Sequence, residues 1–295
     1  MAHYLIPRNQ LSFNKNHDFL GGGAFGNVYK AIWNGSGVAV KILNDDDNPM
    51  GDKVWAEVNK MQRLDHPNIL KLVGIVPPVK YGNPWIITEL LETDLLQHIH
   101  NYPGHALTVR VMVGWAYDVV CGMEYMHHIA SPFAIHGDLA ARNCLVGANG
   151  RVKISDFGKL YQDYESDYYS ANNYCQHDQD DNQCECLPCP IRWMPPENLP
   201  ESNDGVPTCS RKGDIWAYGV LLFEIWTRGS TPFDGLDDDE VIQALLSRDT
   251  PADHFDVKAK SYVKNIMENC WLWEAELRWN FKMIKEVLVD SGDFN

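Results

Sequence analysis

Asp138, Asn143 and Asp156 follow one another at spacings of five and thirteen residues, within His136-Gly137-Asp138-Leu139-Ala140-Ala141-Arg142-Asn143 and the later Asp156-Phe157-Gly158. The order places a candidate base ahead of two candidate magnesium ligands, an arrangement that points to phosphoryl transfer. A hard cation takes oxygen ligands, and one or two from the protein suffice when phosphate oxygens complete its shell. Upstream, Gly21, Gly23 and Gly26 stand before Val28 as G-x-G-x-x-G-x-V. Without side chains, such a hairpin lets backbone amides approach phosphates closely, although a lone match of this kind is also what a flexible hairpin looks like.

The elements that must carry these groups follow from periodicity. Before about residue 90, β-branched and aromatic runs predict strands over 26–33, 38–43 and 85–88. One helix over 53–64 interrupts them, with Val54, Val58 and Met61 forming an apolar stripe. Glu57 lies within that stripe, and a carboxylate on an inner face demands a partner. After residue 105 helical spacing dominates, notably over 109–128 and 215–227. The expected class is α+β: a small β-rich lobe, then a larger helical one, joined near Glu89-Leu90-Leu91.

Composition narrows the function classes. The 295 residues are 45% hydrophobic and 22% charged, enough for a sizeable core and against global disorder. A formal charge of -15 would repel nucleic acid and anionic membrane surfaces, so neither is expected as a partner, and any phosphate must be held by particular local groups. No apolar run reaches the length of a membrane span and no leader is evident, so membrane attachment is expected only through a segment absent from this chain. The eight cysteines form no small-domain disulfide framework and suit a reducing compartment. Cys184-x-Cys186-x-x-Cys189, with Cys175 and His177 upstream, lacks the paired spacing of a zinc site, and free thiols in an exposed acidic loop are expected.

Taken together, the glycines, Lys41 in Val38-Ala39-Val40-Lys41, Glu57, Asp138, Asn143 and Asp156 resemble the ordered elements of protein kinases, with the bilobal fold of that family. The resemblance implies ATP and Mg2+ as cofactors. It makes Asp138 the base, Asn143 and Asp156 the magnesium ligands, and Lys41 the phosphate-binding lysine paired with Glu57. It puts the adenine edge on backbone near Glu89 and Leu91, with Thr88 at the back of the pocket. Leu20, Val28, Ala39 and Leu145 would enclose the ring beneath Gly21, Gly23 and Gly26. Pro195-Pro196-Glu197 stands where the family has Ala-Pro-Glu, and Arg278 after Cys270-Trp271 would pair with Glu197. Asp214-Ile215-Trp216 looks like the helix start that anchors the catalytic loop. Gly137 departs from the pattern, since the family has arginine there.

Leu139-Ala140-Ala141-Arg142-Asn143 is the form of tyrosine kinases, receptor-type ones in particular, with Arg142 near the base and the substrate ring. Pro190-Ile191-Arg192-Trp193-Met194-Pro195-Pro196-Glu197 is similar to neurotrophin-receptor and muscle-specific receptor kinases, and Ile6-Pro7-Arg8-Asn9-Gln10-Leu11 to the segment leading into receptor kinase domains. The implied layout is a juxtamembrane-like segment over 1–12 and a kinase domain over 13–295. Within it the N-lobe runs to about 88, the hinge over 89–92 and the C-lobe over 93–295. The implied setting is the cytoplasmic side of the plasma membrane as part of a receptor, with tyrosine-containing proteins as substrates and self-association for trans-autophosphorylation. Tyr164, Tyr168 and Tyr169 are similar to the activation-segment tyrosines of insulin-receptor-like kinases, hence autophosphorylation sites. Tyr161 replaces a second family arginine, and no lysine or arginine lies between Lys159 and Arg192, so phosphate-dependent activation is expected to be weak. The competing class is a pseudokinase, which loss of the base, the lysine or a metal ligand would favour; none is lost. A third reading is a cytoplasmic tyrosine kinase with Src-homology modules outside this chain, which only the full-length sequence discriminates from a receptor.

Overall fold

The computed structural model describes residues 5–23, 26–43, 55, 58, 59, 61–78, 83–128, 135–157, 168–170, 190–199, 202 and 208–293. Val54, Glu57, Gly158, Lys159, Tyr161, Tyr164, His177 and the cysteines of 175–189 lie outside the described residues. The chain divides into two compact units, Met1–Glu92 and Thr93–Asn295.

The first unit is a six-stranded antiparallel sheet ordered β1-β3-β4-β6-β5, with β2 also paired to β3. Its strands are β1 (Leu11–Ser12), β2 (Phe19–Gly23), β3 (Gly26–Trp33), β4 (Ser36–Leu43), β5 (Leu72–Val76) and β6 (Trp85–Glu89). Period-two alternation sends Val38 and Val40 inward, where they join Ile6, Ala31, Val76 and Ile87 in one core cluster. Ile6 is only 2% exposed and its N–H donates to Ile75 O at 2.8 Å, so this residue of the leading segment belongs to the unit's core. In the 53–64 region Val58 and Met61 are buried, as the apolar stripe requires.

The second unit is helical: α1 (Leu95–Asn101), α2 (Val109–His128), α3 (Arg211–Trp226), α4 (Asp238–Leu246), α5 (Ser261–Cys270) and α6 (Phe281–Asp290). Two small ladders accompany them, β7 (Thr93–Asp94) with β8 (Cys144–Val146) and β9 (Val152–Ile154), and β10 (Tyr168–Ser170) with β11 (Thr208–Ser210). Helix α2 has the bounds that its spacing predicts. Helix α3 starts four residues before the predicted 215, because the Ser210 side chain caps it by accepting from Gly213 N at 2.8 Å. From Gly213 to Trp226 every residue is buried, so α3 is the central post of the unit and has no polar face to mark its start.

Candidate active site

The loop over 136–143 is held from beneath by α3. Asp214 is 2% exposed, and its two carboxylate oxygens accept from His136 N at 2.8 Å, Gly137 N at 2.9 Å and His127 Nε2 at 2.9 Å. Burial pushes the His127 imidazole below its ordinary range despite the neighbouring carboxylate, which suits a neutral Nε2–H donor. His136 is fully buried; its Nε2 lies 3.0 Å from Ser155 O, so that nitrogen carries the proton and Nδ1 accepts from Asp138 N at 3.2 Å. The backbone on both sides of Gly137 is thereby fixed. Gly137 itself has φ +79°, a left-handed conformation that glycine adopts without a Cβ penalty.

Asp138, Arg142 and Asn143 form one hydrogen-bonded cluster. Arg142 Nη2 donates to Asp138 Oδ1 at 2.7 Å, and Asn143 Nδ2 donates to Asp138 O at 2.7 Å. The Asn143 amide nitrogen is thus spent on the loop, which leaves its oxygen for a ligand. Asn143 O accepts from both Ser155 N and Ser155 Oγ, at 2.9 and 2.8 Å. Since β8 and β9 pair Cys144 with Ile154, Asn143 and Asp156 emerge at the same end of one hairpin. They stand thirteen positions apart in the chain, and the ladder brings them back together. Asp156 has φ +60°, a conformation a non-glycine residue holds only when its surroundings impose it. Two oxygen donors at one hairpin end fit Mg2+, which needs few protein ligands. Phe157, the next residue, is fully buried, its ring 5.9 Å from that of His136.

In the first unit, β2 and β3 form the glycine hairpin, with Gly22 opposite Asn27 and Gly23 opposite Gly26. Gly26 cannot be replaced: at φ +147° an added Cβ would sit 2.3 Å from Ile42 O. At Gly21 an added Cβ would meet nothing within 4 Å, so any demand for glycine there comes from outside the sheet. Lys41 is half-buried in β4, between Val28 on β3 and Ile86 on β6. Ala39 pairs with Thr88, which is buried, and Val28 and Ala39 are half-buried. Glu89 N donates to Lys71 O at 3.1 Å, so an adenine edge at this residue would have to use its carbonyl. Leu91 and, in the second unit, Leu145 are half-buried, whereas Leu20 is 48% exposed.

Three residues around this cluster were not singled out from sequence. Glu224, 1% exposed in α3, accepts from Ala141 N at 2.9 Å and Trp193 Nε1 at 3.1 Å through the same oxygen. Burial pushes its carboxyl up to about 7, against the lowering effect of those two donors and of Arg142. Trp193 in turn lies under Arg142, whose guanidinium carbon is 4.3 Å from the ring centroid. Arg192 donates to Pro232 O, Phe233 O and Leu236 O at 2.6 to 3.0 Å, so its cation serves the loop before α4. Glu224 hides in an unbroken apolar helix, and only its acidity within that run could have flagged it. The Glu197 and Arg278 pair is present, a two-pronged contact with the Arg278 side chain fully buried.

Comparison with known proteins agrees with this geometry. The family profile described as protein tyrosine and serine/threonine kinase matches residues 15–288. Tyrosine-protein kinase Abl of Drosophila melanogaster is 34% identical over 278 residues, covering 91% of this chain and 15% of that protein. Tyrosine-protein kinase receptor svh-2 of Caenorhabditis elegans is 36% identical over 226 residues, covering 74% of this chain and 18% of that protein. Tyrosine-protein kinase SRK3 of Spongilla lacustris is 32% identical over 277 residues, covering 92% and 74% respectively. The chain therefore spans less than a fifth of the first two relatives and most of the third. With a profile match over nearly its whole length and the tyrosine-kinase relatives around it, the chain belongs to the protein tyrosine and serine/threonine kinase family, as a tyrosine-kinase catalytic domain.

Proposed function

We propose that this domain transfers the γ-phosphoryl group of ATP to tyrosine hydroxyls of proteins, with Asp138 accepting the hydroxyl proton. The observation that carries this reading is the fixed cluster of Asp138, Arg142 and Asn143, set at the hairpin end from which Asp156 also emerges. Asp138 is oriented by bonds to its backbone on both sides, so its carboxylate needs little reorganisation to meet a substrate oxygen. Asn143 Oδ1 and Asp156 would hold Mg2+, which when bound neutralises charge on the phosphate oxygens. Lys41, with Glu57 as its partner, would hold the α and β phosphates under Gly21, Gly23 and Gly26. Leu20, Val28, Ala39 and Leu145 would bound the adenine, with Thr88, Glu89 and Leu91 at its edge.

In this reading the domain occupies 13–295 with its hinge over 89–92, and Tyr164, Tyr168 and Tyr169 are its autophosphorylation sites, modified in trans by a second copy. The receptor setting at the plasma membrane rests on the resemblance of 6–11 and 190–197 and on the receptor kinase among the relatives. Endogenous protein recovered in a carbonate-resistant membrane fraction would support it, and a wholly soluble product would remove it. The chemistry is tested by magnesium-dependent phosphorylation of a Glu-Tyr copolymer, wild type beside Asp138→Asn. Loss of at least a hundredfold in the variant is expected; equal, near-zero rates for both proteins would leave a phosphate-binding module without transfer.

A further inference from the structure

We propose that Glu224 is a positioning residue that ties the catalytic loop to the segment before Pro195 and so holds Arg142 against Asp138. The inference rests on the reading of Asp138 as proton acceptor. Its starting point is a buried carboxylate in the last turn of α3, where an unoccupied acceptor would be costly. Glu224 Oε2 takes two donors at once, Ala141 N–H at 2.9 Å and Trp193 Nε1–H at 3.1 Å. Ala141 opens the short turn Ala141–Asn143 that carries Arg142 and Asn143, while the Trp193 indole is the surface on which the Arg142 guanidinium rests at 4.3 Å. The contacts close a ring from Glu224 through Ala141, Arg142 and Trp193 back to Glu224.

Magnitudes show why the ring matters. The Arg142 side chain is 35% exposed, and an ion pair at that exposure gains little over the rotamer entropy it costs. What fixes Arg142 is a backbone anchored at one end and an aromatic platform at the other, and Glu224 holds both. Because Trp193 belongs to the 190–197 segment, releasing it should disturb the protein substrate as well as Asp138. The residues of the ring all belong to the second unit, whereas Lys41 and the glycine hairpin belong to the first, so ATP binding should be spared.

The test compares wild type, Glu224→Gln, Glu224→Met, Trp193→Phe and Asp138→Asn with a tyrosine peptide, reading kcat and KM for peptide and ATP separately beside the melting temperature. Glu224→Met leaves both donors unpaired and should lower peptide kcat/KM about tenfold or more with ATP KM within about twofold. Both donors reach a single oxygen, so the amide oxygen of Glu224→Gln can take them and should restore most of that loss. Trp193→Phe should lose part of the activity, and the Glu224→Met/Trp193→Phe double variant should fall short of the product of the single effects. Glu224→Met matching wild type, Glu224→Gln as impaired as Glu224→Met, or ATP KM rising in step would each overturn the proposal. If Glu224→Met does not fold, full activity in Trp193→Phe would overturn it instead. An Asp138→Asn protein as active as wild type would remove the underlying reading and not this one alone.

Discussion

Gly137 donates its backbone N–H to Asp214 Oδ1 across 2.9 Å while holding φ at +79°. The catalytic loop thus keeps its anchor on α3 with no side chain at a position where a Cβ is disfavoured. A left-handed conformation costs an ordinary residue roughly 1 kcal/mol or more, which glycine avoids. The departure from the kinase pattern therefore removes a cation at a residue whose backbone is anchored to Asp214.

Gly137→Arg should consequently be less stable than wild type by about 1 kcal/mol, read from the urea midpoint at unchanged slope. The same variant restores a cation beside Asp138, so its turnover should depend more on phosphorylation than that of wild type. An unchanged midpoint would mean that the φ of this residue carries no strain for a side chain.

Asp214→Ala should be far more damaging. It strips the acceptor from His136 N–H, Gly137 N–H and His127 Nε2–H at once, the first and third of them buried. A loss on the order of 3–5 kcal/mol is expected from chemical denaturation. Retention of wild-type stability would show that the loop is held by packing and not by this carboxylate.

The Glu224 carboxyl gives a defined pH signature. Its folded-state value, raised mainly by burial to about 7, lies above the unfolded value near 4.5. Below 4.5 it is protonated in both states, and between 4.5 and 7 only the unfolded chain ionises. Its contribution is thus fully present below the unfolded value and is lost as pH rises through the folded one, a decline of about 3 kcal/mol in total. Arg142, Ala141 N–H and Trp193 Nε1–H face this carboxyl and limit the shift. Stability measured from pH 4.5 to 8 should decline less in Glu224→Gln than in wild type, the difference accumulating below pH 7; parallel curves would place the proton elsewhere.

Phosphorylation of Tyr164, Tyr168 and Tyr169 should activate this domain weakly. No lysine or arginine stands between Lys159 and Arg192, Gly137 has no cation, and the Arg192 guanidinium is engaged by three carbonyls. The ratio of turnover between autophosphorylated and phosphatase-treated protein should stay below about a hundredfold, on the order of 3 kcal/mol in barrier. Mass spectrometry after incubation with ATP and magnesium should find phosphate on at least one of the three tyrosines. A larger ratio would mean that a cation outside this segment reads the phosphate.

The order of chemical groups was legible because each is a local motif of fixed spacing. Strands β3, β4 and β6 and helix α2 were legible because their apolar periods differ, two against nearly four residues. Apolar spacing starts helix α3 four residues late, since a helix buried all round carries no amphipathic signal and its cap residue lies outside the apolar run. Ile6 reads as part of a leading segment, yet it is a core residue of the sheet, a fact that depends on its bond to Ile75 far along the chain.

By itself the sequence determined which atoms are present for phosphoryl transfer and that one expected cation, at 137, is missing. The tertiary structure decided what that absence means and what holds the rest. Only folding sets Asp214 beneath Gly137, returns Asp156 to the hairpin end of Asn143, and closes Glu224, Ala141, Arg142 and Trp193 into one ring. Such contacts join residues about 13 to 83 positions apart, where no local period or spacing can record them. Burial then gives them their weight, because a donor or carboxylate removed from water must find its partner within the protein.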